Sequence, residues 1–184
     1  MSTIAMEALY GPSAAVQRAD RGDNTIRGAP GAAVHLELRD TYDPDTPQYR
    51  EWLAGVPRPI PASPEWYHFV RAHTARGVQF RRARIVSEPL SDYIRFEHAA
   101  TAGLNVAAGE EVRWLPRRRA RGLSVPVNDY WVFDDRLVRF GYFGGDGTYL
   151  DDELTDDPDV VHTCAEAFER VWELAIPHAE YRPT

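Results

Sequence analysis

From Ala33 to Asp40 apolar and polar side chains alternate without a break: Val34, Leu36 and Leu38 fall on one side, His35, Glu37 and Arg39 on the other. Alternation at every second residue is the spacing of a strand with one buried face. The segment is therefore predicted to be a half-buried strand, with its polar trio on the wet face of a sheet edge. Strand patterns return over Val78–Glu88, where Arg82 and Arg84 share a face, and over Glu111–Leu115. Asp129–Phe133 and Leu137–Phe143 are rich in β-formers and flank Asp134-Asp135-Arg136, which reads as a hairpin. Gly144-Gly145-Asp146-Gly147 is a second turn.

Helical spacing appears between these strands. Gln48–Gly55 reads as a short helix, followed by a proline-rich loop over Val56–Pro61. Ser63-Pro64-Glu65 suits a helix start: serine caps, proline fits the first turn, and glutamate suits the positive end. Trp66, Phe69, Val70 and His73 follow at helical spacing, and Gly77 ends the element. A further helix is predicted from Leu90 to about Val106. The last begins at Asp157 and Pro158 and carries one apolar stripe, Val161, Cys164, Phe168, Val171, Trp172 and Ala175. Residues 1–31 show little periodicity and read as a flexible N-terminal arm. The rest, 32–184, reads as a single α/β domain, a sandwich with a mixed sheet flanked by helices. Its 184 residues suffice for one sizeable core.

Charge and composition narrow the chemistry. The formal charge is −7, which argues against direct binding of nucleic acid. All 21 basic residues are arginine, so no lysine Schiff base and no P-loop lysine exist here. Each fixed cation is a planar fork suited to carboxylates and phosphates. The charges are uneven: five arginines fall within Arg113–Arg121, and seven acidic residues within Asp146–Asp159, both read as solvated loops. No apolar run reaches the roughly 18 residues of a membrane span. No secretory pattern opens the chain, which places it in the cytoplasm. A single cysteine, Cys164, excludes an internal disulfide and lies on an apolar stripe, where it reads as packing. The histidines are scattered and the aspartates lack calcium-loop spacing, so neither a metal nor a cofactor is expected.

Several segments together resemble a family of actinobacterial proteins of unknown function, often encoded beside helix-turn-helix regulators of the XRE type. They are His35 to Tyr42, Arg81 to Glu97, Asn105 to Leu115, Trp131 to Asp135, and Pro177 to Tyr181. The resemblance covers about residues 33–181 and implies a fold rather than an activity. The strand–Asp-Asp–strand element Asn128–Phe140 is also remotely similar to one half of the phospholipase D fold, whose strand bears His-x-Lys four residues before an Asp. With Asp135 in the aspartate place, Asn128 and Tyr130 stand where histidine and lysine belong; with Asp134, Val127 and Asp129 do. Neither register supplies that catalytic pair, so the resemblance implies a phospholipase-D-like fold without its chemistry.

Two readings of function follow. The first is a non-catalytic regulatory or interaction domain that binds a small anionic ligand or a protein partner, with an XRE-type transcriptional regulator as the partner suggested by the family. Its site would gather at the strand–helix junction, where open sheets bind ligands: Glu37, Arg84, Glu88, Tyr93, Arg95, Glu97 and Asp134. Arg84, Glu88, Arg95 and Glu97 also read as a charge network fixing that junction. The alternative is a small cytoplasmic enzyme, a hydrolase or tailoring enzyme, using Glu37 or a hairpin aspartate as general base and arginines to hold substrate. That alternative requires Glu37, Arg84, Arg95 and Asp134 to converge in a deep pocket. A third, weaker reading places nucleic acid on the Arg117–Arg121 loop, with Trp114 supporting a stacked base.

Overall fold

In the computed structural model, which describes residues 31–43, 45–56 and 64–183, the alternating segment is a strand, β1 (Ala32–Glu37), and it lies in the middle of a sheet. The arm expected over 1–31 (apart from Gly31), Pro44, the loop 57–61 and the Ser63 cap lie outside the described residues. Ahead of the second strand come two helices, α1 (Pro47–Leu53) and α2 (Pro64–Thr74). Strand β2 (Gln79–Val86) is followed by α3 (Asp92–Leu104) and β3 (Glu111–Pro116). Then come the hairpin β4 (Asp129–Phe133) and β5 (Leu137–Phe143), the strand β6 (Tyr149–Thr155), the long helix α4 (Pro158–Leu174) and a short β7 (Ile176–Pro177).

The sheet order is β6-β5-β4-β1-β2-β3-β7, with β1, β2 and β3 parallel and the other pairings antiparallel. This is a mixed seven-stranded α/β sheet in one domain. Its central position corrects the expectation of an edge for β1: both faces are covered, so the supposed wet face is interior. Val34 and Leu36 join Ala83, Ile85, Tyr130, Val132 and Val138 on one face. There they meet the stripe of α4, including Val161, Cys164, Phe168, Val171 and Trp172. Full burial of each large apolar side chain stabilises by about 1.5–3 kcal/mol. Asp157 starts α4 as read, its carboxylate accepting from the Asp159 and Val160 amides.

On the other face two apolar patches leave a strip between them. One gathers Ala33, Trp66, Val70, Phe80, Trp131 and Phe133 beneath α2; the other gathers Val86, Leu90, Tyr93, Ile94, Val112, Trp114 and Tyr181 beneath α3. The strip holds charged side chains, Glu37, Arg82 and Arg84 among them.

The acidic stretch 146–159 is not the solvated loop expected of it. Seven of its residues form β6, paired with β5. Cross-strand partners accommodate the charge: Arg139 Nε donates to Asp152 Oδ2 at 2.9 Å, and the Tyr142 hydroxyl donates to Glu153 at 2.7 Å. An edge strand with acidic side chains also resists pairing with another chain. Before it, Gly147 has φ 90, and a Cβ there would lie 3.1 Å from the Thr41 carbonyl oxygen. Its own carbonyl accepts from the Asp43 amide at 2.8 Å, tying the 38–43 segment down. Gly147→Ala is expected to destabilise the chain by roughly 1–3 kcal/mol, through left-handed strain and close contact together. Urea unfolding measures this, and an unchanged midpoint would show that the turn is not holding that segment.

Candidate functional site

Side chains two apart on a strand share a face, and the register sets them in rows. His35 lies opposite Arg82 on β2 and Trp131 on β4, and Trp131 lies opposite Arg139 on β5. One step along, Glu37 lies opposite Arg84. Asp129 closes that row, its Oδ1 accepting from the Leu38 amide at 3.0 Å. These rows lie toward the C-terminal ends of the parallel strands, where ligands of open α/β sheets sit. They floor a cleft of about 90 Å³, whose rim carries Tyr42, Asp43, Thr46, Tyr93, Glu97, Phe143 and Tyr149.

Glu37 is the hub. One oxygen pairs with Arg82 Nη1, the other lies 2.6 Å from Arg84 Nε, and His35 Nδ1 is 3.3 Å away. Each arginine has a second carboxylate. Arg82 Nε donates to Glu110 at 2.7 Å, and Arg84 Nη2 pairs with Glu97 at 2.7 Å. Glu110 also accepts from the Trp66 indole at 3.2 Å and from the Asn105 amide at 2.6 Å. The Tyr93 hydroxyl donates to Glu97 at 3.2 Å. Burial alone would lower both arginines, but the carboxylates more than offset it and hold them above their ordinary range. Arg84 also lies over the Trp114 ring at 5.0 Å, so its charge is compensated on several sides.

The other wall is less complete. His35 stacks on Trp131 at 4.1 Å, and burial with the nearby arginines pushes it well below its ordinary value, so it is neutral. Burial pushes the Asp129 carboxyl up to about 7; the Tyr42 hydroxyl beside it offsets part of that rise, and Glu37 adds to it. Its Oδ2 has no aligned hydrogen-bond partner, and neither has Arg84 Nη1. Buried polar atoms are nearly always partnered, and this cleft holds four exceptions: these two, Arg84 Nε and His35 Nδ1, of which the last two still lie 2.6 and 3.3 Å from Glu37 oxygens.

Of the seven residues read from sequence, Glu37, Arg84, Tyr93 and Glu97 come together here. The other three lie elsewhere. Glu88 accepts from the Tyr181 hydroxyl at 2.8 Å, beyond the strand end. Arg95 is exposed on α3. Asp134 lies in the hairpin turn at φ 52 and accepts from the Ala32 amide at 2.6 Å, at the opposite end of β1 from Glu37. The four-residue pocket that the enzyme alternative needed is therefore not formed. The charge network at the junction holds in part, through Arg84 and Glu97 but not through Glu88 or Arg95. Trp114 is fully buried, stacked on Tyr181, and offers no platform for a base. Arg117 is tied to the Leu38 and Ile85 carbonyls at 2.7 and 3.0 Å, which clamps the ends of β1 and β2.

Asp129, Glu110 and Arg139 were not read as site residues. Asp129 shares strand parity with Trp131, the one available hint, but only the β1–β4 register brings it beside Glu37. Among the described residues no group of three or more metal-ligating side chains is assembled, and no helix is long and apolar enough to cross a membrane.

A family model described as "Domain of unknown function (DUF6879)" matches residues 20–183. No curated protein matches the chain. Among solved structures the chain is similar to Nuc, a phospholipase D family member from Salmonella typhimurium, at 13% identity over 84% of each chain and a TM-score of 0.45. It is also similar to TrmBL2, an archaeal chromatin protein, at 15% identity over 89% of this chain and 51% of that one, with a TM-score of 0.41.

Proposed function

The chain belongs to the DUF6879 family, a domain of unknown function, and we propose that its cleft over Glu37, Arg84 and Asp129 binds a small molecule within a non-catalytic regulatory domain. The observation that carries this reading is the pair of unpartnered buried atoms, Arg84 Nη1 and Asp129 Oδ2, on one concave wall. Each buried polar group left unsatisfied costs about 1–3 kcal/mol. A ligand that offers one acceptor and one donor removes both costs. Pre-formed, largely enclosed polar groups of this kind are what a specific small-ligand site provides. The partner suggested by the family resemblance, an XRE-type regulator, would read the occupied state; copurification of the two proteins with and without ligand tests that step.

An enzymatic reading is favoured by one specific observation. Asp129 and His35, two groups able to move protons, line the same cleft.

One experiment separates the two. The full chain is dialysed against a small-metabolite extract, and retained compounds are identified by mass spectrometry. A compound retained unchanged supports binding; one returned chemically altered supports the enzyme; retention of none would overturn both. The matching variant is Gly141→Val. Gly141 faces the cleft, and a Cβ there would lie 3.1 Å from the Phe143 ring, forcing that ring to move. Gly141→Val is expected to abolish retention with a change in unfolding free energy of about 1 kcal/mol or less, because valine suits a strand. Undiminished retention would place the ligand elsewhere.

A further inference from the structure

The arginines of this cleft have little free charge for an anion. Arg82 is held by Glu37 and Glu110, Arg84 by Glu37 and Glu97, and Arg139 by Asp152. With Asp129 there are five carboxyls against four guanidiniums, Arg39 included, at or just behind the wall, and Asp43 adds a sixth carboxyl at the lip. An anion entering here finds guanidiniums that already face carboxylates, and several carboxylates besides. Near Asp129, Arg39 donates to the Gly144 carbonyl and lies 5.6 Å from the Phe143 ring centroid; its Nε has no aligned partner, and its charge favours the ionised Asp129.

The rim adds a second element. Tyr93, Tyr42, Phe143 and Tyr149 form a connected chain of rings around the opening, with centroids 6.1, 5.3 and 5.7 Å apart in that order. Ring faces attract cations, more strongly where water is excluded. Aromatic rings beside buried carboxylates are therefore the surroundings that a desolvated ammonium needs.

Resting on the reading of the cleft as a ligand site, we propose that it takes a small primary amine carrying a hydrogen-bond acceptor, of the amino-acid class. The ammonium seats against Asp129 Oδ2 within the aromatic rim, and the acceptor, a carboxylate or carbonyl oxygen, meets Arg84 Nη1. This assignment satisfies both orphaned atoms with one molecule. It also fits the space: a cleft of about 90 Å³ is several times what one water needs and has room for a small molecule.

The test uses the full chain and calorimetric titration with glycine, β-alanine and γ-aminobutyrate, which step the amine-to-carboxylate spacing. Ethylammonium serves as the amine without acceptor, and acetate and inorganic phosphate serve as anions without amine. At least one of the three amino acids is expected to bind, ethylammonium more weakly, and the two anions not at all. Asp129→Asn is expected to weaken amino-acid binding by about 30-fold or more, as for truncating one side of a buried charge pair. Its melting curve reports separately that it is folded. Acetate or phosphate binding without any amine would overturn the amine class while leaving a ligand site. Equal binding of ethylammonium and the amino acids would overturn the role given to Arg84. Binding by none of the six also overturns the amine class, and the extract dialysis then decides whether the cleft binds anything.

Discussion

Replacing Glu37 by glutamine is expected to lower the unfolding free energy by about 3 kcal/mol and the melting temperature by roughly 6–12 °C. The cause is the sharing of one carboxylate by two buried guanidiniums. Arg82 and Arg84 project from the same face of β2, and each repels the other's charge. Glu37 stands between them from the neighbouring strand. Glutamine keeps the shape but removes the anion, leaving two like charges adjacent in a poorly solvated strip. Each arginine retains its second carboxylate, Glu110 or Glu97, which keeps the loss near the lower end of that for a broken buried pair. Glu97→Gln is the control. Its side chain is 22% exposed, so solvent screens the lost pair and the expected cost is about 1 kcal/mol or less. Urea unfolding of both variants checks the difference. Equal losses would show that Glu37 is not the hub.

The second large effect concerns Asp129, and its sign is opposite to that of most carboxylates. An aspartate usually gains a partner on folding and its acidity rises; this one is buried, lies beside Glu37, and is pushed up to about 7. Below about pH 4 the group is protonated in both folded and unfolded chains and contributes nothing to their difference. Between there and about 7 the unfolded chain gives up its proton while the folded chain keeps it. Stability from this group therefore falls as pH rises, by at most ~1.4 kcal/mol per pH unit, and levels off above 7. His35 works the other way. It is held neutral in the fold, so its contribution is present above its ordinary pKa and is lost as pH falls through it. The raw pH profile mixes the two. The difference between the parent chain and Asp129→Asn isolates the aspartate. That variant is expected to match the parent near pH 4 and to exceed its stability by about 1–3 kcal/mol at pH 8, where a buried and only partly compensated charge has been removed.

Much of the fold was legible in the chain because its elements announce themselves locally. The hairpin β4–β5 is written as two runs of β-formers around Asp134 and Asp135, and both take positive φ there. The buried face of α4 is written as one stripe from Val161 to Ala175. Strand β6 was hidden because Asp151, Asp152 and Glu153 read as solvated charge; Arg139 and Tyr142, which receive two of them, belong to another strand. The site followed the same logic. Glu37, Arg84, Tyr93 and Glu97 could be found from alternation on a strand and from the helix beginning after it. Asp129 and Glu110 could not, since their roles arise from pairings between segments some 28 to 91 residues apart. Asp134 sits in the hairpin turn, at the opposite end of β1 from Glu37, and the β-formers around that turn carry no sign of which end faces the site. The polar trio of β1 read as a wet edge because nothing in the segment itself tells a central strand from an outer one.

A residue kept for binding costs the empty fold stability, whereas a residue kept for structure supports it. The most direct measurement therefore sets stability and ligand retention side by side on two proteins, the parent chain and Asp129→Asn, at pH 8. The expected result is a variant that unfolds at higher urea and retains nothing from the metabolite extract. A variant that unfolds at lower urea and retains the same compounds as the parent would contradict the cleft as a ligand site and make Asp129 a structural residue.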